Sequence, residues 1–254
     1  MVFYTQITME AAEDPAFLQA MKRAHILGAL VGVESVTDAG LKDVYKGFNL
    51  SGEELVARLK AFRRHGVHVL GSFIFGLPSD REDTFAATVE LAQRADLTFA
   101  QFVLLTPFPG TIDFEKWAAE PGRNDSKVDG VPVTQHWLIP VSERPKLFTE
   151  HPTMTLEEIR SRTQGAWDQF YSWSNIWQRS GVVKSMRNRL AFVLVSKLYR
   201  QMYANTGIAT DSARVARSAR WARLIGSICR RLFLAAPMPD LQEPSHERAL
   251  SVAG

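Results

Sequence analysis

Cysteine is nearly missing from this sequence: Cys229 is the single thiol among 254 residues. One thiol cannot build a disulfide framework, nor a zinc or iron–sulfur site that draws several thiolates from the same chain. This scarcity fits a reducing compartment, and a cytoplasmic location is expected. Long apolar runs are lacking too, the longest falling far short of the roughly 20 residues that a membrane-spanning helix requires. Met1 is followed by Val-Phe-Tyr-Thr-Gln, without the basic and then apolar order of a signal peptide, and none is expected. No P-loop, nucleophile elbow or Ser/His/Asp pattern occurs. The six histidines are scattered, and His65 with His68 spans a helix end and a strand start, where dipole and packing roles are expected over metal binding.

What is present supports a folded α/β protein. The hydrophobic content of 46% is enough for a sizeable core, in one large domain or two small ones. Net charge is only +3, yet it is unevenly placed. From Arg179 to Arg231 twelve Lys and Arg residues face a single acid, Asp211, so an acidic body carries a basic rear.

The organising stretch is residues 67–78, Val-His-Val-Leu-Gly-Ser-Phe-Ile-Phe-Gly-Leu-Pro. An apolar, aromatic and β-branched run bounded by Gly and Pro reads as a strand buried on both faces of a parallel sheet. Ligands in such sheets sit beyond the carboxyl ends of the strands, and Gly71 and Gly76 would let a flat group approach the backbone. The alternative is that these glycines only turn a corner or admit a close helix.

Strands are predicted to begin near residues 2, 29, 67 and 99, each followed by a helix, a repeat of about 32 residues that implies right-handed crossovers. Predicted helices cover 14–27, 38–46, 51–65 and 84–94, the third opened by a Ser51/Glu54 capping box and closed by Gly66. The acidic run Ser79-Asp80-Arg81-Glu82-Asp83 reads as a helix start. Four strand–helix units are half of a β/α barrel. A first strand at Met1 would leave a bare parallel edge, so a preceding segment is expected. The spacing gives a partial barrel over 1–118, an irregular linker over 119–153 and a helical basic extension over 154–236, with a loose tail over 237–254. A short strand is predicted at 134–139. A capping box at Thr155/Glu158 opens a helix reaching about Arg179, whose Trp167, Phe170, Tyr171 and Trp177 read as core packing or as a lid over an apolar substrate. Helices are also predicted over 182–203 and 212–234.

Four segments give these units a resemblance: Thr5-Gln6-Ile7-Thr8, Val31-Gly32-Val33-Glu34-Ser35, Gly71-Ser72-Phe73-Ile74-Phe75-Gly76-Leu77-Pro78, and Gln101-Phe102 through Leu105-Thr106-Pro107-Phe108-Pro109-Gly110-Thr111. In this order and spacing they resemble the later strands of the radical S-adenosylmethionine enzymes, in particular the group that carries a cobalamin-binding domain. The resemblance covers about residues 1–117. It implies that Glu34, with Ser35 beside it, hydrogen-bonds the polar part of S-adenosylmethionine. It also implies that the backbone from Phe73 through Ile74, Phe75 and Gly76 pairs with the adenine edge, and that residues near Leu104 pack on the adenine face. Two positions depart from the pattern: Ser72 stands where the adenine motif has glycine, and Ser79 where it ends in glutamate, with Asp80 next.

The larger departure concerns the 4Fe-4S cluster, which the family holds on three cysteines in a C-x3-C-x2-C loop. No such loop exists here, so the chain is expected to be the C-terminal part of a radical enzyme, inactive alone. Cluster and cobalamin would belong to the complete form, supplied by a missing N-terminal half or a separate cluster-bearing chain. The implied substrate is a small or lipid-like molecule and the implied chemistry is methyl transfer. The second hypothesis is a non-catalytic scaffold or peripheral membrane protein. In it, the cationic amphipathic helix bearing Arg214, Arg217, Arg220 and Arg223 would lie on an anionic membrane surface. Nucleic acid is not an expected partner, because no aromatic platform accompanies the charge.

Overall fold

The computed structural model of the chain describes residues 1–47, 49 and 51–205. Strand and helix alternate as the spacing predicts: β1 (Phe3–Ile7), α1 (Pro15–Arg23), β2 (Ile26–Glu34), α2 (Asp38–Asp43), α3 (Gly52–Arg64), β3 (His68–Phe75), α4 (Thr84–Arg94) and β4 (Phe99–Leu104). The four strands form one parallel sheet in the order β1-β2-β3-β4. A sequential parallel order is what repeated crossover helices of this length produce. After β4 come α5 (Ile112–Ala118), a two-residue hairpin of β5 (Lys127–Val128) and β6 (Val131–Pro132), then α6 (Leu156–Phe170), α7 (Trp173–Arg179) and α8 (Met186–Asn205). The described residues belong to a unit spanning Met1–Ala213. The helix expected over 212–234, the tail and Cys229 lie outside the described residues.

Pleating sorts the sheet residues onto two faces. One face carries Ala29, Val31, Val33, Phe73, Phe75 and Phe102, all 1% exposed or less, and it packs beneath the helices. Side chains two apart in a strand share a face, so this spacing of buried residues is the direct reading of the apolar runs. The rings of Phe73 and Phe75 both stack on Phe102 at 5.6 Å, and Phe75 meets Phe85 of α4 at 4.4 Å. The other face carries Gly32, Ser72 and Gln101 side by side. There the Gln101 amide donates to Ser72 Oγ at 2.8 Å, and Tyr203 of α8 donates its hydroxyl to Gln101 Oε1.

The outer edge of β4 is closed by side chains instead of a strand. Tyr171 and Trp167 bond Ala100 and the Phe102 carbonyl, and Arg179 donates to Thr98 O at 2.8 Å. The aromatic stripe foreseen between Thr155 and Arg179 is therefore largely core: Trp167, Phe170 and Tyr171 are each 2% exposed or less, whereas Trp177 is half-exposed.

Several boundaries differ from expectation, each for a local reason. The helix expected to reach Arg179 breaks at Tyr171, because Ser172 adopts an extended conformation and caps α7 through a bond from Asn175 N. The capping box at Thr155/Glu158 forms in full. The one at Ser51/Glu54 does not, since Ser51 Oγ donates instead to Asp38 Oδ1 at 2.6 Å. Residues 134–139 form a 3₁₀ turn, Val133–Leu138, and no strand. α1 stops at Arg23 and β2 starts three residues earlier than expected, at Ile26.

Candidate functional site

The carboxyl ends of β2 and β3 hold the residues singled out in the sequence. The β2–β3 ladder ends with Glu34 opposite Phe73, whereas the β3–β4 ladder continues to Phe75 opposite Leu104. Beyond Phe73, then, β3 has a partner strand on the β4 side alone among the described residues. Strand backbone open on one side can pair with a flat heterocycle.

β2 leaves the sheet at Glu34 through a tight turn in which Ser35 N donates to Val33 O at 2.9 Å. Glu34 sits at its centre with φ +67°, a conformation that a residue with a Cβ adopts only at a cost. Its carboxylate, half-buried, accepts from Lys46 Nζ at 2.7 Å through Oε1. Oε2 has no partner among the described residues. The pair lies over Gly32, where a Cβ would stand 2.4 Å from Glu34 Oε1 and 3.2 Å from Lys46 Nζ. Glycine at position 32 thus makes room for the ion pair.

Ser35 is buried and structural in its contacts. Its hydroxyl accepts from Thr37 N at 3.2 Å and lies 3.2 Å from Thr37 Oγ1, at the start of α2. Ile74 is half-buried on the same sheet face as Ser72, while the side chains of Phe73, Phe75 and Leu104 point into the core under the helices. Glu34 and the open backbone at Ile74 are thereby brought to one end of the sheet. Leu104 contributes its side chain to the opposite face.

After β3 the chain turns at Gly76, φ +87°, and three side chains hold the loop. Asp80 Oδ2 accepts from Gly76 N at 2.8 Å and from Leu77 N at 3.0 Å. Asp43 Oδ2 accepts from Ser79 N at 3.0 Å. His151 Nδ1 accepts from Thr153 N at 3.2 Å and Met154 N at 3.0 Å, which puts its proton on Nε2, 2.9 Å from the Leu77 carbonyl it serves. Asp80 is 1% exposed and its Oδ1 lacks a partner among the described residues. Burial pushes its pKa up to about 6, against the two backbone N–H groups, which pull the other way.

Sequence reasoning missed Lys46, Asp43 and His151, and took Asp80 for a helix-start acid. It caps the β3 loop instead, and α4 begins four residues later. Asp80 was noticeable as an acid following Gly-Leu-Pro-Ser, but Lys46 and His151 reach the site through tertiary folding that no local pattern announces. His65 and His68 bind backbone and hydroxyl groups, Ala61 O and Thr98 Oγ1. Among the described residues no group of three His, Cys, Asp or Glu side chains could hold a metal ion. No helix of the described residues is long and apolar enough to cross a membrane.

No family model matches the chain. Individual proteins do. An uncharacterized methyltransferase of Pyrococcus horikoshii is 28% identical over 153 residues, 60% of this chain and 30% of that protein. Bacteriochlorophyllide d C-12(1)-methyltransferase of Chlorobaculum tepidum is 34% identical over 111 residues, 43% of this chain and 24% of the enzyme. Hopanoid C-2 methylase of Rhodopseudomonas palustris is 23% identical over 106 residues, 42% of this chain and 20% of the enzyme. The chain is similar to methyl-transferring enzymes. It spans less than a third of the length of these relatives.

Proposed function

We propose that this chain supplies the S-adenosylmethionine-binding wall of a radical S-adenosylmethionine methyltransferase, formed by the later strands of a partial β/α barrel. The observation that carries the reading is the convergence of Glu34 with the open end of β3. Glu34 Oε2 is free to accept from ribose hydroxyls or the amino group of the ligand, while Lys46 holds the other carboxylate oxygen and fixes the position of the group. The side of β3 left open at Ile74 offers backbone to the adenine edge, and the clamp in which Asp80 holds Gly76 N and Leu77 N, with Asp43 and His151, keeps that backbone in place. Similarity to methyltransferases acting on bacteriochlorophyllide and hopanoid supports an apolar substrate.

S-adenosylmethionine, when bound, supplies an activated methyl group and, in complete enzymes of this kind, the precursor of a carbon radical. The residues present do not fit a 4Fe-4S cluster, since the sequence has one cysteine, and no step here runs through it. In this reading cluster and cobalamin are held by the remainder of a complete enzyme, in the cytoplasm. The membrane-scaffold alternative gains no support from the described basic residues. Arg189, Lys197 and Arg200 are engaged within the chain, by the Trp177 carbonyl, the Tyr171 carbonyl and Asp168.

The test is calorimetric titration of the chain with S-adenosylmethionine. Saturable binding weakened by Glu34→Ala is expected. Affinity indifferent to that substitution would remove Glu34 from the site.

A further inference from the structure

A recess lies away from Glu34, between α3, α4 and α7. Its volume is about 480 Å³, and Lys60, Gln93, Asn175, Gln178 and Arg179 are among its walls. Arg179 is the unusual member. It is 6% exposed, donates to Thr98 O at 2.8 Å and Phe170 O at 2.7 Å, and lies 3.7 Å from the centre of the Phe170 ring. Those partners are all uncharged, and among the described residues no carboxylate is paired with this guanidinium. A buried cation left without a counter-charge is costly. Burial draws its pKa down to about 10.

The unmet groups around this cation are donors. Arg179 Nε and Gln93 Nε2 are both shielded from solvent and have no acceptor among the described residues. Lys60 makes no ion pair among the described residues, whereas the neighbouring Arg63 and Arg94 are neutralised by Asp96 and Glu53. Glu90 is the remaining wall acid. With Glu90 set against Lys60, the walls keep one net positive charge, and together with the spare donors it calls for an anionic acceptor.

We propose that this recess binds a phosphorylated, hydroxyl-bearing small molecule, its oxyanion received by Lys60 and Gln93 with the buried charge of Arg179 behind them. The volume exceeds what a bare oxyanion needs and falls in the range of small-molecule sites, about 300–1,000 Å³. The amides of Asn175 and Gln178 can both donate to and accept from hydroxyl groups. The site is independent of the one at Glu34.

The test is the thermal midpoint and binding heat of the full chain titrated with glucose 6-phosphate, against glucose and sodium chloride at matched ionic strength. Saturable stabilisation by the phosphate ester and none by glucose is expected. Lys60→Gln and Gln93→Ala should each weaken binding about tenfold while leaving the ligand-free midpoint in place. Absence of saturable binding, or binding that survives both substitutions undiminished, would overturn the proposal. Either result is read without S-adenosylmethionine and leaves the Glu34 site untouched.

Discussion

The Tyr171 hydroxyl donates to Ala100 O at 2.8 Å and accepts from Ala100 N at 3.1 Å, so one side-chain group satisfies both polar groups of a buried residue on the free edge of β4. Tyr171 is itself buried, which raises its pKa well above the ordinary phenol range and keeps it a neutral donor. Tyr171→Phe keeps the ring and strips the edge of both bonds. A loss of about 2 kcal/mol is expected, the cost of leaving buried backbone groups unpaired. Urea unfolding checks it, and a change within error would mean that water replaces the hydroxyl.

Glu34 combines a positive φ with a carboxylate, and these two properties can be separated. Glu34→Gly and Glu34→Ala both delete the carboxylate, but only glycine relieves the backbone. The glycine variant should be the more stable of the two by about 1 kcal/mol. Both should lose S-adenosylmethionine affinity equally. Unfolding curves paired with calorimetry on each variant give the comparison.

A methyl group on residue 32 would collide with the Glu34 carboxylate and the Lys46 ammonium, both of them ends of flexible side chains. Gly32→Ala should therefore shift stability by no more than about 0.5 kcal/mol while displacing the ion pair. S-adenosylmethionine affinity is expected to fall about tenfold. Intact affinity together with intact stability would show that the pair is not part of the binding surface.

Asp80 predicts a pH dependence of defined sign. Its folded pKa, about 6, lies above the ordinary 3.8, so the folded state holds the extra proton between those values. The contribution of this group is fully present below the lower value and is lost as pH rises through about 6, a change of up to about 3 kcal/mol. Asp80→Asn keeps an oxygen acceptor for Gly76 N and Leu77 N and cannot ionise. The difference in unfolding free energy between the two proteins should vary with pH between about 4 and 7 and be level above that. A constant difference would show that the carboxyl is ionised throughout.

The sheet was legible because its strands are buried runs whose alternation is written in residue type. Val31, Val33, Phe73, Phe75 and Phe102 fall on one face as a two-residue period requires. The break at Ser172 was not, because α6 and α7 share one continuous aromatic pattern and only the capping of the second helix divides them. At the site, Glu34 and the β3 terminus were visible as motif residues. Lys46 follows the short α2, and His151 lies in a stretch broken by prolines. Neither position is set by a periodic pattern, and their arrival at residues 34 and 77 is purely a product of the fold.

The two borders of the sheet are unlike. Trp167, Tyr171 and Arg179 plug the backbone sockets along β4, whereas β1, with Phe3 and Tyr4 each at least half-exposed, has β2 as its one strand neighbour among the described residues. Lateral growth of this sheet is consequently one-directional. An incoming strand, from whatever polypeptide, can be stitched on beside β1 and is refused beside β4.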